Sequence, residues 1–231
     1  MLIDLNCDLG EGAGTDAALL PLITSANVSC GAHAGTREDI AATLEQAARF
    51  GVAVGAHPSH PDREHFGRRE LNIPSRDVLE ETHGQIQWLK ALASRFGGKV
   101  RYVKPHGALY NQACRDDAFA DAVVSACALS DLPVVGLPGS RLAERATGRV
   151  SFIAEGFADR GYRPDGSLVP RDQPGAFVKD PAAAAEQVRR LIAERGVRTV
   201  CVHGDNPEAL AFVSAVRAEL LRAGAELRPF A

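Results

Sequence analysis

No apolar run among the 231 residues approaches the roughly 18 needed to cross a membrane. The start, Met1-Leu2-Ile3-Asp4-Leu5-Asn6, has no basic stretch ahead of an apolar one, so no signal peptide is expected. Cysteine is sparse: the five residues Cys7, Cys30, Cys114, Cys127 and Cys201 are odd in number and have no CxxC spacing. That argues against a disulfide framework or a zinc ribbon and fits a reduced cytoplasm. Charge of one sign is lacking too. The 26 Lys and Arg against 29 Asp and Glu leave −3, with no block of like charges, so neither nucleic acid nor a membrane surface is an expected partner. There is no G-x-x-x-x-G-K-[S/T], no H-E-x-x-H and no G-x-S-x-G. Gly10-x-Gly12-x-Gly14 lacks the third glycine of the dinucleotide fingerprint at its proper spacing. What remains, 45% apolar and 24% charged residues, is the composition of an ordinary globular chain.

What is present is a repeated alternation of short apolar strands and amphipathic helices. Strands are expected at Leu2–Cys7, Ala26–Cys30, Val52–Ala56, Val100–Val103, Leu132–Leu137, Val150–Ala154 and Thr199–Val202. Helices between them carry start and stop signals. Thr15 and Ser75 are candidate N-caps, Thr36 with Asp39 reads as a capping box closed by Gly51, Ser140 caps a short helix, and Asp180-Pro181 opens a helix that Gly196 ends. A last helix opens at Asn206-Pro207 and ends at Gly224. Seven strands separated by helices, without a linker or composition break, indicate one α/β domain over residues 1–231. The expected architecture is a single-domain (β/α)7 barrel, TIM-like, closed or nearly closed. A doubly wound open sheet is the alternative, because periodicity does not separate the two.

The polar residues collect after the strands. Strand one is followed by Asp8 and Glu11, strand two by His33, strand three by His57 and strand four by Lys104 and His106. Strand six leads to Glu155, Asp159 and Arg160, and strand seven to His203 and Asp205. Parallel strands end on one face, so these residues converge although they are far apart in sequence. Four of the seven histidines lie at such ends. His60 and His65 are assigned to the loop after strand three, on a lid. Carboxylates, imidazoles and a lysine on one face suit acid–base hydrolysis of an amide-like bond, or a divalent metal held by Asp and His. The inventory alone does not choose.

Six stretches together resemble the LamB/YcsF family. They are Asp4-Leu-Asn-Cys-Asp-Leu-Gly-Glu11, Ser25-Ala-Asn-Val-Ser-Cys-Gly-Ala-His-Ala-Gly35, Gly55-Ala-His-Pro-Ser59 with Phe66-Gly-Arg-Arg69, Val103-Lys-Pro-His-Gly-Ala-Leu-Tyr-Asn111, Phe157-Ala-Asp-Arg-Gly-Tyr162 with Asp165-Gly-Ser-Leu-Val-Pro-Arg171, and Cys201-Val-His-Gly-Asp205. Ala32, Thr36, His65 and Gly84 depart from the family's usual residues. The resemblance implies a glycoside hydrolase/deacetylase-like barrel. It also implies one component of a three-component, ATP-dependent 5-oxoprolinase, which opens the lactam of 5-oxo-L-proline to L-glutamate. ATP is then the co-substrate, and the other two 5-oxoprolinase subunits are the partners. On that reading Asp8, His33, His106 and His203 activate water and move protons, Asp205 orients His203, and Lys104 with Arg160 holds carboxylate or phosphoryl oxygens. Glu11, His57, Arg69, Asn111, Asp159 and Arg171 are expected to bind substrate. A divalent metal, Mg2+ with ATP or one bound by Asp8, His57 and His106, stays open, as does a homo-oligomer. The rival readings are a stand-alone metal-dependent deacetylase or amidohydrolase and a non-catalytic substrate-binding component.

Overall fold

The computed structural model describes residues 2–203 and 209–231. Its strands are β1 (Leu2–Leu9), β2 (Ser25–Ser29), β3 (Ala53–His57), β4 (Val100–Val103), β5 (Val134–Gly136), β6 (Phe152–Phe157), β7 (Thr199–Val202) and β8 (Glu226–Leu227). The helices are α1 (Asp16–Leu19), α2 (Arg37–Phe50), α3 (Ser75–Ser94), α4 (Gly107–Arg115), α5 (Asp117–Ser130), α6 (Arg141–Ala146), α7 (Pro181–Arg195) and α8 (Ala209–Arg222).

The strands β1 to β7 pair in sequence order, and β1 then pairs in parallel with both β2 and β7. Its residues Asn6 to Leu9 register with Ser25 to Val28, while Asp4 to Cys7 register with Thr199 to Val202. Two neighbours for the first strand close the sheet, so the chain is a (β/α)7 barrel and not an open doubly wound sheet. The short β8 lies against Leu2 and Ile3 at the start of β1.

Side chains alternate along each strand, and here the usual polarity is inverted. Ile3, Leu5, Cys7 and Leu9 join Ala26, Val28, Val54, Ala56, Val200 and Val202 in the main apolar core, with the apolar faces of the helices. The intervening residues Asp4, Asn6 and Asp8 point into the barrel, where they are buried and hydrogen-bonded to other strands. At the bottom, Asp4 Oδ1 accepts from Thr24 and Ser25, both at 2.6 Å, and Oδ2 accepts from Thr199. Above it, Asn6 Nδ2 donates to Thr199 Oγ1 at 2.6 Å and Glu155 Oε1 at 3.2 Å, and Asn27 Nδ2 donates to Asn6 Oδ1 at 2.7 Å. Such a polar interior is tolerable because most of its donors and acceptors meet; among the described residues Glu155 Oε2 is buried without a hydrogen bond. Gly55 makes room for it: a Cβ there would lie 2.1 Å from the Tyr102 ring, whose hydroxyl reaches Asn27 at 2.7 Å.

The start signals hold at α2, where Thr36 and Asp39 form the capping box, and at α6 and α7, where Ser140 and Asp180 accept from backbone N–H groups. Two differ from expectation. Thr15 makes no side-chain cap bond, and Pro74 precedes Ser75, which begins α3 instead of capping it. The opening of the last helix at Asn206-Pro207 lies outside the described residues.

Candidate active site

Strands β1, β3 and β4 end together, and Lys104 is the hub of what they carry. Its side chain is buried, and Nζ lies 3.0 Å from Asp8 Oδ1, 2.9 Å from Glu155 Oε1 and 3.0 Å from Cys201 Sγ. Burial works against the ammonium, but Asp8, Cys201 and Glu155 hold its pKa well above the ordinary lysine value. Burial would likewise raise the Asp8 carboxyl; Lys104, then His57, hold it well below the usual carboxylate range. Lys104 therefore spends its charge on protein carboxylates, and Asp8 keeps its second oxygen for the histidines.

Two imidazoles meet beside that oxygen. His57 Nδ1 donates to Lys104 O at 2.7 Å, and His106 Nε2 donates to Phe66 O at 2.9 Å. These carbonyls turn His57 Nε2 and His106 Nδ1 toward each other at 2.9 Å, with Asp8 Oδ2 3.4 Å from His57 Nε2. Two imidazole nitrogens approach so closely only with a proton or a metal cation between them. The carbonyl-anchored ring that presents its second nitrogen is also the usual arrangement of a metal-binding histidine. Phe66 supplies its carbonyl from a left-handed conformation (φ 56°), and Gly67 roofs the rings so tightly that a Cβ would lie 2.9 Å from His33 Cβ.

On the far face of His106, His33 stacks at 3.8 Å between centroids and 5° between planes. Ser59 Oγ donates to His60 O at 3.0 Å, so it accepts from His33 Nδ1 at 2.9 Å. His33 Nε2 is thereby aimed at Glu11 Oε1, 2.9 Å away. The distance suits an ion pair, although burial and then His57 push the His33 pKa down to about 2.

A cleft of about 760 Å3 opens over Asp8, His57, Lys104 and His106. Arg68, Arg115, Arg163 and Arg171 line its sides, with Asn111 from α4 and His203 from the end of β7. His203 Nδ1 donates to Asp159 Oδ2 at 2.8 Å, and its ring stacks on Phe157. Burial would raise the Asp159 carboxyl, and His203 outweighs it, leaving the pKa below the ordinary value.

The LamB/YcsF family profile matches residues 3–231. The chain belongs to the LamB/YcsF family. A lactam utilization protein from Thermus thermophilus is 39% identical, with both chains covered completely and a TM-score of 0.92. Two more distant structures share the fold. A cellobiose-phosphate cleavage protein of Enterococcus faecalis, so described provisionally, is 12% identical at TM-score 0.61, covering 98% of this chain and 96% of its own. A family 4 carbohydrate esterase from Streptomyces lividans is 13% identical at TM-score 0.53, covering 100% and 93%.

Within this LamB/YcsF barrel, Asp8, Glu11, His33, His57, Lys104 and His106 form one contiguous cluster, and His203, Asn111, Arg160 and Arg171 line the cleft beside it. Asp159 is tied to His203, the role expected from the sequence for Asp205, which lies outside the described residues. Arg160 is buried and donates to Ala176 O at 3.1 Å and Val169 O at 2.6 Å, so it braces the loop after β6. Arg69 is exposed toward Asp62 at 3.5 Å, and its neighbour Arg68 lines the cleft instead. His60 is no lid residue: it is buried, with Nε2 2.7 Å from Gln112 Oε1. Arg68 was not among the residues expected at the site. Glu155, expected just after strand six, lies within β6 and faces Lys104 from inside the barrel.

Proposed function

We propose that this chain opens the lactam of 5-oxo-L-proline to L-glutamate, coupled to ATP hydrolysis, in a complex with two further 5-oxoprolinase subunits. The supporting observation is an acid–base cluster at the barrel's end beneath an arginine-lined cleft, in a chain 39% identical over its full length to a lactam utilization protein. Opening a resonance-stabilised lactam at neutral pH requires activation. Transfer of the ATP γ-phosphoryl group to the exocyclic lactam oxygen, with release of ADP, supplies it. Water adds to the ring carbon, and the C–N bond breaks as the nitrogen takes a proton. A second water hydrolyses the resulting acyl phosphate to glutamate and phosphate. The arginines at the cleft suit the substrate carboxylate and phosphoryl oxygens. His203, its Nδ1–H held by Asp159, has Nε2 left to take a proton from water and return it to the leaving nitrogen. The Lys104 ammonium keeps Asp8 ionised inside the barrel.

Asp8, His57 and His106 would also hold a divalent cation, which supplies Lewis-acid polarisation of an oxygen when bound. That constellation favours a second reading, a stand-alone metal-dependent amidohydrolase or deacetylase. One assay separates the two: glutamate formation from 5-oxoproline and ATP by the chain alone, then with the two partner subunits added. Turnover only in the full mixture is expected. Release of acetate from an N-acetylated sugar by the chain alone, abolished by chelator, would replace the first reading with the second.

A further inference from the structure

Asn27 lies on β2 inside the barrel, buried, with every polar valence of its side chain in use. Oδ1 accepts from the Tyr102 hydroxyl at 2.7 Å, and Nδ2 donates to Asn6 Oδ1 at 2.7 Å and to Asp8 Oδ1 at 2.8 Å. The amide has no second orientation, because turned over it would set its oxygen against the oxygens of Asn6 and Asp8. Tyr102 is equally fixed. Its ring packs against Val135, Ile153 and Phe230 and fills the space that Gly55 leaves. Burial and then the Asp4 charge hold its pKa well above the ordinary tyrosine value, so the hydroxyl keeps its proton and donates.

Asp8 needs such a partner. The Lys104 ammonium is a compact point charge, shared with Glu155 and Cys201, and it draws a carboxylate oxygen without setting the plane of the group. An amide N–H is directional. With Oδ1 pinned by Asn27, Oδ2 is left toward His57 Nε2, 3.4 Å away, beside the 2.9 Å contact of His57 with His106. We propose that Asn27, itself oriented by Tyr102, is a positioning residue that fixes the plane of the Asp8 carboxylate against the two imidazoles. Neither Asn27 nor Tyr102 lines the cleft, so both act through Asp8 and not on substrate. Both readings of the site use Asp8; only the turnover measurement below rests on the lactam reading.

Full-length Asn27→Ala, Tyr102→Phe and the double variant are compared with the wild-type chain in two ways. The first is the 15N spectrum of the histidine rings in the chain alone, with the His57 and His106 signals assigned. Both single variants should shift the His57 Nε2 and His106 Nδ1 signals and leave those of His83, on α3, in place. The second is 5-oxoproline turnover with the two partner subunits added. Asn27→Ala should lower kcat by about 10- to 100-fold with KM within about twofold, and Tyr102→Phe should lower kcat less. In the double variant kcat should equal that of Asn27→Ala, because Tyr102 acts through the amide that is gone. If Asn27→Ala fails to fold, Tyr102→Phe, which removes one oxygen atom, carries the test. Unshifted His57 and His106 signals in a folded variant, an unchanged kcat in a complex that turns over lactam, or a double-variant loss equal to the product of the single ones would each overturn the proposal. Shifted signals, where the wild-type chain turns over no lactam in the full mixture, would count against the proposed function alone.

Discussion

Asp159 shows how one residue's surroundings decide its task. A carboxylate at hydrogen-bonding distance from Nδ1 fixes the His203 tautomer and stabilises the imidazolium form during proton transfer. Asp159→Asn keeps the shape but gives the ring an amide in place of a charge. On the proposed function, turnover of 5-oxoproline with the two partner subunits added should fall by about 10²–10⁴-fold. An unchanged kcat would remove His203 from proton transfer. The residue types at the strand ends were legible in the sequence, because a strand of alternating residues that stops at Asp8, His57 or Lys104 announces what it delivers. Which nitrogen of each ring faces inward was not. That depends on carbonyls of Lys104 and Phe66 and the hydroxyl of Ser59, placed by loops whose backbone no motif specifies.

Among the elements, α4 carries no start signal in the sequence, and β1 is legible only in part. Pro105 ends β4, and the sequence reads onward as a turn, yet a helix begins at Gly107 directly after His106. Its first bond is tertiary: Ala108 N donates to Gly67 O at 2.9 Å, on a different loop. Closeness between backbones explains Gly107, where a Cβ would sit 2.5 Å from that same oxygen. For β1 the alternation was plain, but its polar face was not assignable to the barrel interior, since polar residues ordinarily face water. Interior crowding is open to test at Gly55. Gly55→Ala would drive a methyl into the Tyr102 ring and should lower stability by about 1–3 kcal/mol or more, read as a lower urea midpoint with unchanged slope. An unaltered midpoint would mean that the ring moves aside at no cost.

At the scale of the whole molecule, the buried carboxyl of Asp4 contributes to stability with a pH dependence of unusual sign. Burial raises the Asp4 pKa from 3.8 to about 6, against the lowering effect of Ser25, Thr199 and Thr24. The folded chain thus holds a proton that the unfolded chain releases between those values. Asp4's contribution to stability is greatest below about pH 4 and is lost as pH rises through about 6, the reverse of a salt-bridged carboxylate such as Asp8. Other groups titrate too, so the comparison is with Asp4→Asn. Its urea midpoint relative to the wild-type chain should climb between about pH 4 and about pH 6 and stay level above. A flat difference would show that Asp4 stays ionised within the fold.

The sequence by itself determined the seven barrel strands, most of the helices between them and the face on which the polar residues gather. Periodicity, caps and strand-end composition are local properties, and a parallel sheet has only one C-terminal face. Closure of the barrel was decided by tertiary structure, since it depends on β1 pairing with a strand over 190 residues away. So were the pairing of Asp159 with His203, the bracing of the loop after β6 by Arg160, and the burial of Lys104 between two carboxylates. These are contacts at long range, and their geometry follows from strand register and loop path, which residue order along the chain does not encode one element at a time.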